Sequence, residues 1–434
     1  MKNFQTILLI VFGVFIAAGM AIFSGFIPVG EKASEQQVLS GELTIWGTFP
    51  PGFFKTYFDP LTQEYDGLIL NYVSKNPDTY YDELVQALAA GVGPDLFFLD
   101  HNRIVEHKNK VLPVPYENYP KETFLNQFVD EAQLYLTPEG ILAFPFLGNP
   151  LVLYYNRDLM NNSFILEPPK YWDELLTMAP MLTQKNETGQ ITRSAIALGT
   201  ATNVNHNKDI IATLAMQGEV PLVSQATDGS FVESFYGANP DGSIASALRF
   251  YTSFADPQQT HYSWNTSLRN SQDAFVAEDT VMYIGYASEM QAIRSQNVNL
   301  NFNVALLPQT RDGKLQLTTA RMTGLAISKQ SQNVATAFNL AVMLTNPDYN
   351  AIFSESFLLP PVRREVLQAN VPAEPFMRVF YNSIIISRAW WDPRPEVTDT
   401  LFARMITQTL SRLQEPEGTV REARAELRRL LGNK

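Results

Sequence analysis

Between Leu43 and Asp100 the chain switches repeatedly between two hydrophobic periods, and that alternation restricts the fold more than any other feature. "ELTIWG" and "LILNYV" are short and apolar, as strands are, and "FFKTYFDPLTQEY" between them sets Phe54, Tyr57, Phe58 and Leu61 on one helical face. "TYYDELVQALAAG" is a second helix, with Tyr80, Leu84, Ala87 and Leu88 at i, i+4, i+7 and i+8. Gly91 stands where a helix end wants a left-handed residue, and Pro94 stops the helix from resuming. "DLFFLD" then reads as a strand buried on both faces. A β-α-β-α-β series implies a parallel sheet covered by helices. In a dinucleotide loop the glycines follow a strand and open a helix; here they close a helix, so "GVG" is not such a loop. Ligands of open parallel sheets sit beyond the carboxyl ends of the strands, which singles out Asp100, His101 and Asn102.

Further strands follow at "GILAFPF", "PLVLYYN", "SAIALGT", "TVMYIGY", "NFNVALLP" and "GLAISK". Helices fall at "DELLTMAPMLTQ", "KDIIATLAMQG", "SIASALRFYTSF" and "NVATAFNLAVMLTN", the last with Ala335, Phe338 and Val342 on one face. Two helices finish the chain. The final one is expected to open on the capping box "TVRE", Thr419 with Glu422, and to bury Val420, Ala423, Leu427, Leu430 and Leu431 while its arginines face out. At 434 residues the chain has room for two domains with sizeable cores.

Composition narrows the chemistry. A net charge of −12 argues against nucleic acid and anionic membrane surfaces as partners. Cysteine is absent, which excludes disulfides, thiolate catalysis, zinc–thiolate sites and a lipid-modified cysteine. His101, His107, His206 and His261 show no metal-ligand spacing, so neither a metal nor a cofactor is expected. No nucleophile elbow, S-x-x-K pair or P-loop occurs, and no catalytic residue is assigned. Residues 7–27 carry no charge and at about 1.5 Å per residue reach roughly 31 Å, enough to cross a bilayer. Lys2 before this run leaves the bulk of the chain outside the cell, as a single-pass membrane protein. The competing reading is a cleaved signal peptide ending at "GMA"; the apolar run continues past that point, through Phe23, Phe26 and Ile27, which favours a retained anchor over 1–30 and a tether over 31–41.

Five stretches in order carry a resemblance. "YDELVQALAAGVGPDLFFLDHNR", "GILAFPFLGNPLVLYYNRDLM", "PPKYWDELL", "AFVAEDTVMYIGY" and "TGLAISKQSQNVATAFNLAVMLTNPDYNAIFSESFLLPPVRREV" together resemble the extracellular solute-binding proteins of ABC importers, in the family that includes maltose-binding protein. The resemblance covers nearly all of 42–434 and implies an α/β fold of two lobes, the type II periplasmic-binding-protein fold with hinge strands. Lobe I is expected at 42–148 with 322–372 and lobe II at 149–321 with 373–434, closing on a ligand by a hinge. "HNR" is similar to the family's His-Asp-Arg, which carries a sugar-binding aspartate; Asn102 stands at that position and offers a neutral acceptor. Asn149 falls at the crossover between lobes, Tyr171 replaces a capping threonine, and Glu278 replaces a glycine. The partners implied are a sugar or oligosaccharide and the subunits of an ABC permease.

Several residues stay open between core and cleft. Trp46, at the end of the first strand, is either core or a stacking floor. Trp264 lies in the polar stretch "HYSWNTS", where a core role is less natural. Trp390 and Trp391 precede the loop "DPRP", and neighbours cannot share one face of a strand. Tyr286 ends a strand, and Arg321 near the second crossover is either a ligand contact or a surface ion pair. Asp100 either accepts from a ligand or holds a loop, and His101 reads as structural. Two rival functions share this pattern: a cleft enzyme acting on carbohydrate, a glycosidase or lyase, and a ligand-binding sensory ectodomain. N-terminal sequencing of the protein from native membranes is expected to find the 7–27 segment still attached; a mature start near Ile22 would show cleavage.

Overall fold

The computed structural model describes residues 39–236, 244–311, 313–369 and 372–432. The apolar segment 7–27 and most of the tether after it lie outside the described residues; among those described, no helix is long and apolar enough to cross a membrane.

The opening alternation folds as its periods require: β1 (Gly41–Gly47), α1 (Pro51–Glu64), β2 (Leu68–Ser74), α2 (Tyr80–Ala89) and β3 (Leu96–Asp100). β1 pairs in parallel with β2 and with β3. Gly91 has φ +74° and closes α2 as a Schellman motif: Val92 N–H donates to the Ala87 carbonyl at 3.0 Å and Gly91 N–H to that of Leu88 at 3.2 Å.

Later strands are β4 (Phe144–Asn156), β5 (Ile191–Ile196), β6 (Thr280–Tyr286), β7 (Phe302–Ala305) and β8 (Thr318–Ile327). Their helices include α3 (Trp172–Leu182), α4 (Asn207–Gln217), α5 (Val334–Leu344), α6 (Pro375–Ile385), α7 (Pro395–Leu410) and α8 (Pro416–Leu430). All eight strands join one mixed sheet, in the order β2-β1-β3-β8-β4-β6-β5, with β7 also on β4. β8 runs antiparallel to both β3 and β4.

β4 and β8 organise the molecule. β4 was expected as two strands separated near its prolines, and it is one strand of 13 residues. Its first half pairs with β8 and its second half with β6 and β7. Pro145 is tolerated because the register shifts between Thr323 and Gly324 opposite it, and such irregularities are where a sheet accepts proline. β8 likewise starts six residues before the expected "GLAISK". One apolar core draws on β4 up to Leu147 and on β8 from Ala320; a second begins at Leu151 and takes in Tyr286, Trp390 and the buried sides of α7 and α8. A third, smaller cluster packs Phe376 and Phe380 of α6 against Val152 and Tyr154 of β4.

Two helix expectations need correction. α5 buries Ala337, Leu340, Ala341 and Leu344 rather than the Ala335–Phe338–Val342 face, because a helix apolar nearly all round leaves its inner face to packing. α8 begins at Pro416, whose fixed φ suits a first helical position, so Thr419 lies inside the helix and donates to Gln408 instead of capping. Val420, Ala423 and Leu427 are buried as expected, whereas Arg424 and Arg428 turn to the buried Glu233 carboxylate at 2.6 and 3.1 Å.

At the register shift, a Cβ on Gly324 would stand 2.8 Å from Ala143 Cβ and 3.0 Å from the Tyr135 ring. Tyr135 cannot retreat easily, since its hydroxyl lies 2.8 Å from the Leu99 carbonyl and 3.0 Å from that of Met322. Gly324→Ala is therefore expected to cost about 1–3 kcal/mol, as overpacking of a tight core does, read from chemical denaturation.

Candidate ligand-binding site

The crossing strands meet where Arg321 of β8 stands opposite Asn149 of β4. Thr323, two residues on, faces Asp100 at the carboxyl end of β3. A short helical turn, His101–Arg103, follows β3 directly, so Asn102 arrives at the same place. These placements create a cavity of about 390 Å³ lined by Phe49, Asp100, His101, Asn102, Leu147, Asn149, Arg321, Thr323 and Leu359. A second, much smaller recess of about 20 Å³ shares His101, Asn102 and Arg321 with it and adds Lys208, Asp209, Tyr286, Trp390 and Asp392.

Each polar group has a definite local role. Asp100 accepts from the Thr323 hydroxyl at 2.6 Å and from the Tyr81 hydroxyl at 2.9 Å, so it ties β3 to β8 and α2 through hydroxyls, not through loop amides. His101 is buried and accepts the Met322 N–H at Nδ1, 3.1 Å; burial pushes its imidazole down to about 4, which keeps it neutral and fit to accept. The Asn149 amide exchanges two hydrogen bonds with Ser288, at 2.9 and 3.0 Å. Among the described residues the Asn102 side chain makes no hydrogen bond, so its amide is available to a ligand.

Arg321 donates to Asp209 at 3.2 Å and lies over the Tyr286 ring at 4.2 Å from its centroid. Tyr286 in turn donates its hydroxyl to Asp209 at 2.7 Å. Burial alone would raise the Asp209 carboxyl, but Arg321, Lys208 and His206, with the Tyr286 hydroxyl, hold it down to about 2. Lys208 is paired with Asp392 at 2.8 Å and Asp399 at 2.6 Å. At the edge, Arg103 pairs with Glu396 and with Glu106 at 3.3 Å.

Six of the nine residues picked from the sequence therefore meet. Asp100, Asn102, Asn149 and Arg321 line the cavity, and Tyr286 and Trp390 stand in the adjoining recess. Three do not join them. Trp264 is fully buried in the second core, its indole N–H donated to Asn203 at 3.1 Å; its neighbour Ser263 is buried with it and donates to the Ile196 carbonyl at 3.2 Å, so the polar stretch is satisfied inside the fold. Trp46 packs in the first core with the Lys75 ammonium 3.8 Å above its ring. Trp391 packs against both cores and donates to the Leu134 carbonyl at 3.2 Å, lining other cavities. Sequence reasoning missed Phe49, Lys208, Asp209 and Thr323. The strand-end rule that found Asp100 could have found Phe49, two residues past β1, and Asp209, in the first turn of the helix that follows β5. No group of three or more His, Cys, Asp or Glu residues among those described could hold a metal ion.

The chain matches the model of the bacterial extracellular solute-binding proteins over residues 56–377, and it belongs to that family, whose members hold a solute and are not enzymes. It is 28% identical over 144 residues to the maltotriose-binding protein of Pyrococcus abyssi, a match spanning 32% of this chain and 30% of that protein's length. Its fold superposes on the cyclic α-maltosyl-1,6-maltose-binding protein of Arthrobacter globiformis with a TM-score of 0.75 at 17% identity, over 90% of this chain and 99% of the other. The sugar-binding protein MalE of Xanthomonas citri gives 0.74 at 18% identity, over 90% and 98%.

The pH dependence of Asp209 checks the ion pairing. Its folded value lies below the ordinary ~3.9, so its stabilisation is complete above about pH 4 and is lost as pH falls through 2. Asp209→Asn is expected to lower stability by about 2 kcal/mol at pH 6 and by almost nothing near pH 2, in denaturation curves at both.

Proposed function

We propose that this protein captures an uncharged sugar or oligosaccharide outside the cell and hands it to the permease of an ABC importer, held at the membrane by residues 7–27. Two lobes, 42–148 with 322–372 and 149–321 with 373–434, close on the ligand, and the pairing of Asn149 with Arg321 is the hinge that few residues need to flex. Asp100, Asn102, Asn149 and Thr323 serve ligand hydroxyls, and Phe49 and Leu147 cover apolar C–H faces.

The observation that carries this reading is that the cations around the cleft are already paired: Arg321 with Asp209, Lys208 with Asp392 and Asp399, Arg103 with Glu106 and Glu396. A phosphate or carboxylate would have to break one of these pairs to be bound, which costs more than a neutral hydroxyl does. The sugar names borne by the three relatives described above agree with this charge balance.

A thermal-shift panel of sugars, polyols, sugar phosphates and polyamines tests the reading. At a hundred times its dissociation constant a neutral sugar is expected to stabilise the protein by about 2.7 kcal/mol, while the charged compounds leave melting unchanged. Stabilisation by a phosphorylated or amine ligand alone would overturn it.

A further inference from the structure

We propose that Arg321 is a plug that sets ligand length: its side chain occupies the place of a further sugar ring and confines the ligand to one or two rings. This rests on the saccharide reading of the site and adds which saccharides fit.

The cavity and the recess are lined in common by His101, Asn102 and Arg321, so these three residues stand between them, and Arg321 has the longest side chain of the three. The cavity, about 390 Å³, lies at the small end of the range of ligand pockets, roughly 300–1,000 Å³. Behind Arg321 the recess holds about 20 Å³, room for about one water molecule. Yet its lining has the chemistry of a sugar subsite. Tyr286 and Trp390 supply aromatic faces, and Asp209 and Asp392 supply carboxylates that could accept from hydroxyls. Those groups serve the protein instead. The guanidinium covers the Tyr286 ring at 4.2 Å and binds Asp209 at 3.2 Å, while Lys208 takes Asp392 at 2.8 Å.

A purely structural ion pair is the alternative. The Arg321 side chain keeps 52% of its surface exposed and Asp209 only 18%, so the pair helps to hold Asp209 while the guanidinium still faces open space that a ligand can enter. What Arg321 does supply is bulk at a fixed position, because the β8–β4 ladder anchors its backbone opposite Asn149.

Isothermal titration with gluco-, manno- and galacto-oligosaccharides of one to four rings tests this on three proteins. These are the wild type, the double variant Arg321→Ala with Asp209→Asn, which opens the recess without stranding a carboxylate, and Arg321→Met on the same Asp209→Asn background, which keeps bulk without charge. The wild type is expected to prefer one or two rings over three or four by about tenfold or more. The double variant should gain about tenfold for the longer ligands, and Arg321→Met should keep the wild-type order. The plug is overturned if the wild type binds three and four rings as tightly as shorter ones, if the double variant leaves the order unchanged, or if Arg321→Met relaxes it equally. Should no saccharide bind any of the three, the saccharide reading falls and the plug with it. Binding by the double variant alone would also overturn the proposal, because the wild type is expected to take one or two rings. Melting of each unliganded variant confirms that it is folded.

Discussion

Everything around the cleft hangs on one ladder, the antiparallel pairing of β8 with β4. β4 enters it from the first apolar core and leaves it for the second. A ladder hydrogen bond is individually modest, yet leaving buried backbone groups unpaired is expensive, so the two strands stay paired along the crossing and shift register once, between Thr323 and Gly324. That pairing sets Arg321 opposite Asn149, and the ladder of β8 with β3 sets Thr323 opposite Asp100. Four elements remote in sequence thereby deliver polar side chains to one place: the end of β3, the crossing part of β4, β8 and the first turn of α4. The bulge at Gly324 lets this happen with prolines in β4 and with Tyr135 packed tightly against the sheet.

Charge around the cleft is abundant but mutually satisfied. Carboxylates and cations alternate from Arg103 and Glu106, through Arg321 and Asp209, to Lys208 and Asp392. A buried charge is tolerable only when paired, so these groups are better seen as scaffolding for Tyr286 and the loop after β3 than as hands held out to an ion. Neutral hydrogen-bonding groups are left to meet a ligand, Asn102 foremost, because no protein partner among the described residues uses its amide. Replacing an acid by an amide at that position keeps an acceptor and adds a donor, which suits hydroxyls that can act either way.

Aromatic residues divide by tertiary context rather than by local sequence. Trp264 sits in a polar stretch and is wholly buried; Trp390 and Trp391 are neighbours in sequence and serve different surroundings. Phe49, two residues past the end of β1, lies against Phe98 at 4.9 Å with its ring edge-on and helps to line the cavity. An indole needs one hydrogen-bond acceptor and a large apolar contact, and both a core and a cleft can provide them.

The sequence alone determined the alternating architecture, the helix end at Gly91 and the strand end at Asp100. Those features depend on periods of two and 3.6 residues and on the backbone limits of glycine and proline, which act over a few residues at a time. It also pointed, by resemblance, to the family that residues 56–377 match. Tertiary structure alone decided that β4 is one strand, which face of α5 is buried, that Trp264 is core, and that Asp209 holds Arg321. Each of these depends on a partner far away in the chain, 112 residues for that ion pair, and local periodicity carries no information about such a partner.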